Sequence, residues 1–129
     1  MNGNLEVLVT SSELENRRAL IQVLEALSAN VISSSSIQQA SEVLSKRPIE
    51  LVFCDDQLPD GSYRDLLPAA RIRQGRSVRV VVTTRTGEWE EYLEAMRLGA
   101  FDFIRGPMHP TDVELVVLRA QHEQDERAA

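Results

Sequence analysis

The sequence predicts a three-layer α/β fold, a parallel sheet with helices packed on both faces. Three observations carry this. Short runs rich in β-branched residues recur five times, at 5–9, 31–33, 51–54, 78–82 and 101–104. Segments with helical spacing follow them. The run at 51–54 is apolar throughout and each of the others carries one polar residue, Glu6, Ser33, Arg79 or Asp102, a near-continuous pattern that suits strands covered on both faces. Five such units occupy the 129 residues, so one domain spanning 1–129 with right-handed crossovers is expected.

Taken in order, the first run, LEVLV, leads into a helix at 17–27 that places Leu20, Val23, Leu24 and Leu27 on one face. Ser12 reads as its N-cap, with Glu15 completing a capping box. The second run is followed by a helix at 37–44 with Ile37, Ala40 and Leu44 aligned. After the third run, Pro68 constrains the next helix. A start near Asp65 puts Pro68 in the first turn, where its missing N–H costs no intrahelical bond, so the later start is expected. The fourth helix, 92–98, turns Leu93, Met96 and Tyr92 inward and stops at Gly99. The last starts at Pro110, with Asp112 in the first turn, and buries Val113, Val116, Val117 and Ala120. Residues 121–129 are polar, either the end of that helix or a lead into a further domain.

Composition narrows the function. With 14 Lys and Arg against 20 Asp and Glu, the net charge is −6, which argues against direct nucleic-acid binding. The single cysteine, Cys54, permits no internal disulfide and fits a reducing cytoplasm as a buried strand residue. No apolar run approaches the roughly 20 residues of a membrane span. The N-terminal MNGNLEVLV has no basic segment, so no signal peptide is expected. His109 and His122 lack metal-ligand spacing and read as surface residues.

In an open parallel sheet, ligands bind at the carboxyl ends of the strands. Four loops there carry polar chemistry: Thr10 to Glu13, Asp55 to Gln57 with the following LPDG, Thr83 to Arg85, and Arg105 to Pro107. The segment LVFCDDQLPDGSYRDLL resembles the phosphoacceptor loop of response-regulator receiver domains, the CheY-like modules of two-component signalling. AMRLGAFDFIRGPMHPTDVELVV resembles that family's fourth helix, fifth strand, proline turn and last helix, and LENRRALIQVLEAL its first helix. The resemblance covers essentially the whole chain and implies a doubly wound, five-stranded, flavodoxin-like sheet of order 2-1-3-4-5.

By the same resemblance, Asp55, four residues before Pro59, matches the aspartate phosphorylated by a histidine kinase. Thr84, fifteen residues before Gly99, matches the hydroxyl that binds the phosphoryl oxygen, with Thr83 one residue off. Phe103 matches the aromatic switch residue, and Gln57 the residue whose backbone carbonyl helps bind Mg²⁺. Two matches fail. The family's acidic pair is replaced by Ser11 and Ser12, and its lysine by Gly106; Arg105 is one residue early, so strand alternation points it elsewhere.

These departures imply weak Mg²⁺ binding at Asp55, no tightly held cofactor and no enzymatic activity. They favour an atypical receiver that works through protein contacts over one phosphorylated at Asp55. Arg85, following Thr84, has two readings: an ordinary surface arginine, or a compensating group that lies over the site and pairs with Asp55 or Asp56 in place of metal. The implied partners are a histidine kinase or phosphotransfer protein, another protein, or a second copy docked on the face of the fourth helix, fifth strand and last helix. Two other classes are weaker. A flavin- or phosphate-binding protein would need glycine in TSSELEN, and a serine hydrolase would need a G-x-S-x-G elbow; both are absent.

Overall fold

The computed structural model describes residues 4–71 and 78–128. Five strands alternate with five helices: β1 Glu6–Thr10, α1 Leu14–Ala26, β2 Asn30–Ser34, α2 Ile37–Lys46, β3 Leu51–Asp55, α3 Tyr63–Arg71, β4 Arg79–Thr84, α4 Trp89–Leu98, β5 Asp102–Arg105 and α5 Pro110–Ala128. The sheet runs β2-β1-β3-β4-β5, every neighbouring pair parallel. The predicted class and strand order are both present.

Alternation along the strands builds two cores. Val7 and Val9 of β1, Phe53 of β3 and Val81 of β4 face α1 and α5, where Leu24, Val113 and Val116 close the layer. Leu8, Val52, Val80 and Val82 point to the opposite face, against Ile37, Leu44, Leu66 and Ala95. Val7, Leu8 and Val9 are all fully buried. A stretch with no solvent face can be apolar at every position, which is why Val7 to Val9 and Leu51 to Cys54 show no polar alternation.

Element boundaries differ from expectation where polar side chains take over backbone groups. The strands run on to include Thr10, Asp55, Thr83 and Thr84. Helix α1 begins at Leu14, so Glu13 rather than Ser12 is the N-cap residue, and its side chain makes no cap bond. It is Ser11 Oγ that accepts from the Glu13 amide (3.2 Å). The expected Ser12–Glu15 box is therefore absent. Helix α3 begins at Tyr63, not near Asp65, so Pro68 lies inside it. The earlier start is held reciprocally: the Ser62 amide donates to Asp65 Oδ2 (2.9 Å), and Arg64 N donates to Ser62 Oγ (3.2 Å). In α4 Ala95 is fully buried and Met96 packs half-buried against the core as expected, whereas Leu93 is 39% exposed. That helix starts a turn early, with Glu91 accepting from the Glu88 amide (2.8 Å). Gly99 ends it at φ 108°, the left-handed conformation that glycine adopts without Cβ strain. Pro110 is the first residue of α5, as predicted, and the polar tail continues that helix to Ala128; Ala129 lies outside the described residues.

Candidate functional site

The strand order reverses between β1 and β3, so the loops leaving these strands diverge and open a crevice at their carboxyl ends. A cavity of about 470 Å³ occupies it, lined by residues that include Ser11, Asp55, Asp56, Thr84, Arg85 and Gly106. The four polar loops marked by the sequence meet there.

Asp55 ends β3, half-buried between two hydroxyls. Ser11 Oγ donates to its Oδ2 (2.7 Å) and Thr83 Oγ1 to its Oδ1 (2.9 Å). The Ser12 backbone N–H is a third donor. Burial pushes the Asp55 pKa above its ordinary 3.8; these donors oppose the shift and the Asp56 charge adds to it. Ser11 is held in turn by its neighbours, since Arg17 Nη1 donates to its carbonyl (2.7 Å).

Thr84 serves the next carboxylate along. Its Oγ1 donates to Asp56 Oδ2 (3.1 Å) and sits 3.4 Å from the amides of Thr86 and Gly87, organising the β4–α4 loop. Thr83 and Thr84 thus divide the two aspartates between them. Register explains it: Asp55 pairs across the ladder with Thr83. The sequence carried Thr83 only as a neighbour of Thr84, because register is not readable from one strand alone.

Arg85 does not do what its position suggested. It pairs with Glu13, not with Asp55 or Asp56. Both aspartates already hold hydroxyl donors, while Glu13 offers a carboxylate on the facing loop. Arg105 turns away from the cavity, as alternation predicted, and donates to the Gly87 carbonyl (3.3 Å). Gly106 brings no charge. Its amide donates to the Thr84 carbonyl (2.6 Å), and a Cβ there would meet only ordinary contacts at 3.4 Å or more.

Away from the cavity, Phe103 meets Tyr92 edge-on at 5.8 Å, and Tyr92 stacks on Trp89 at 5.3 Å. This aromatic ladder, missed by the sequence reading, joins β5 to the exposed side of α4. At the far end of the β3–α3 loop, Asp60 accepts from the Ile37 and Gln38 amides (2.8 and 3.0 Å) at the start of α2. Gln57, next to Asp56, is exposed at the cavity rim. Cys54 is buried, and burial raises its thiol pKa, so it stays a protonated core residue. Among the described residues no group of three or more His, Cys, Asp or Glu is placed to hold a metal ion, and no helix is long and apolar enough to cross a membrane.

The response regulator receiver domain model matches residues 7–118. The chain is 29% identical over 103 residues to the response regulator protein PilR of Pseudomonas aeruginosa, covering 80% of this chain and 23% of that protein. It is 28% identical to the transcriptional regulatory protein SrrA of Staphylococcus aureus, covering 87% and 46%. It therefore spans about a quarter to a half of the length of these relatives. Among solved structures, a receiver domain protein of Clostridium thermocellum superposes with a TM-score of 0.83 at 22% identity, over 94% of this chain and 97% of that one. NtrX of Brucella abortus does so with a TM-score of 0.83 at 25% identity, over 97% and 28%. With the fold, the crevice and the family model in agreement, the chain belongs to the response regulator receiver domains, the signal-accepting modules of two-component systems.

Proposed function

We propose that this receiver is atypical, signalling through protein contacts with little or no Mg²⁺-dependent phosphorylation of Asp55. The observation that carries this is the closed set of bonds around Asp55. Each carboxylate oxygen accepts a hydroxyl, from Ser11 or Thr83. Mg²⁺ demands oxygen ligands in near-octahedral geometry at about 2.0–2.1 Å and usually one or two carboxylates plus waters. Ser11 and Ser12 add no negative charge at the corner where the family carries acids, and Ser11 spends its proton on Asp55. This donor set fits Mg²⁺ poorly. Among the described residues, Gly106 has no side chain, Arg105 donates to the Gly87 carbonyl, and Arg85, although it lines the cavity, pairs with Glu13 and not with Asp55. Phosphoryl transfer depends on such positioning and charge stabilisation.

The test is incubation with Mg²⁺ and acetyl phosphate, followed by intact mass. No adduct is expected; one phosphoryl on the native chain that is absent from Asp55→Asn would overturn the reading and favour a phosphorylation-competent receiver using Asp55 and Thr84.

The contact surface we infer is the face of α4, β5 and α5. Trp89 and Leu93 on α4, and Leu115 and Leu118 on α5, are large apolar side chains exposed by 39–66%. The NtrC4 receiver, a structural neighbour with a TM-score of 0.83, is described as a beryllofluoride-activated dimer. A second copy or another protein docking here, and a histidine kinase or phosphotransfer protein as the upstream partner, follow from this reading, as does the absence of enzymatic activity. Sedimentation of the native chain and of Trp89→Ala with Leu118→Ala tests the dimer.

A further inference from the structure

Two loops face each other over the Asp55 cavity. Glu13 lies on the β1–α1 loop and Arg85 on the β4–α4 loop; both line the cavity and they form an ion pair. Glu13 is not an arbitrary surface acid. It is the N-cap residue of α1, its amide is bonded to Ser11 Oγ, and its Oε1 accepts from Asn16 Nδ2 (3.2 Å) while Oε2 takes Arg85. Arg85 is equally fixed at its root, because Thr84 before it is buried and bonded to Asp56.

We propose that Glu13 and Arg85 form a latch across the mouth of the cavity and limit the entry of solutes to Asp55. This rests on reading the cavity as the receiver's site, but not on whether Asp55 is phosphorylated. The latch joins the β1–α1 and β4–α4 loops, both of which line the cavity that holds Asp55. It is charge-based and open to solvent, so salt weakens it. An exposed pair contributes little, which limits the effect on entry to about two- to fivefold.

Labelling of an introduced thiol tests this without a phosphodonor. Ser11→Cys places a thiol on the cavity wall, and Thr83→Cys is the second variant should the first misfold. Native Cys54 is buried and sets a slow background, and Ser33→Cys, at an exposed site on β2, reports general loosening. Iodoacetamide should label Ser11→Cys about two- to fivefold faster when Glu13→Gln or Arg85→Gln is added. The double substitution should be no faster than either alone, because the two residues act through one contact. Half-molar salt should speed the parent and leave the latch variants unchanged. Equal rates in parent and variants, additive effects, or the same acceleration at Ser33→Cys would each overturn the latch. The phosphoryl-adduct test is independent of all these outcomes.

Discussion

Asp55 and Asp60 sit at the two ends of one loop, and the structure treats them in opposite ways. Asp55 is half-buried, beside a second carboxylate, and met by neutral hydroxyls and one amide. Burial lifts its pKa. Asp60 is fully exposed and accepts two amides at the start of α2, which lower its pKa. Those amides lie at the positive end of a helix, where an anion is stabilised. The same functional group is thus costly to ionise at one end of the loop and favoured at the other. Asp60 thus meets the positive end of a helix, whereas among the described residues Asp55 is met by neutral donors.

The comparison breaks most if charged groups are introduced around Asp55. Ser11→Asp, Ser12→Asp and Gly106→Lys together should raise Mg²⁺ affinity by at least about 10–100-fold, the range that changes around a metal site commonly span. The lysine fits, since a side chain at Gly106 meets only ordinary contacts. Because Arg85 pairs with Glu13 rather than with Asp55, the gain should not require removing Arg85. Titration calorimetry reads it; unchanged affinity would show that something other than the lost acids governs this corner.

At the other end, Asp60→Ala should lower the melting temperature by several degrees by leaving the Ile37 and Gln38 amides to water. The sign with pH follows from the lowered pKa: stability due to Asp60 is present above its ordinary 3.8 and is lost as pH falls through its lower folded value. Asp55 runs the other way. Its folded pKa lies above 3.8, so the folded chain holds that proton longer and loses stability as pH rises through the folded value. Asp55→Asn should therefore melt higher than the native chain at pH 7, with the difference closing below pH 4. Thermal melts across that range check both, and a native chain that out-melts Asp55→Asn at pH 7 would sink the contrast.

The fold was legible because both-sided burial writes continuous apolar runs, and the core positions of α2 and α5 follow helical spacing. Boundaries were less legible where side chains compete for backbone amides. Ser62 and Asp65 together start α3 early enough to leave Pro68 inside it, a cost that spacing alone does not foresee. Asp55 and the hydroxyls around it could be placed from motif position. Which hydroxyl meets which carboxylate could not, because that depends on the β3–β4 register. The partner of Arg85 is hidden for a related reason: Glu13 lies on a loop remote in sequence, and the sequence does not show that Asp55 and Asp56 already hold hydroxyl donors.

The finest division in the site is between Thr83 and Thr84, and paired substitutions should separate them. Thr84→Val removes the donor to Asp56 and the acceptor facing the Thr86 and Gly87 amides. Thr84 is buried, so the loss should cost about 1–2 kcal/mol of stability by chemical denaturation. Thr83→Val removes a bond at a half-buried position and should cost less. Its signature is electrostatic: the Thr83 hydroxyl holds the Asp55 pKa down against burial, so without it that pKa should climb further, read by carbon NMR titration of the Asp55 carboxyl. Thr84→Val should leave the Asp55 titration nearly in place. If Thr84→Val moved Asp55 and Thr83→Val did not, the hydroxyls would be assigned the other way round, with Thr84 serving Asp55, as its match to the family position implies.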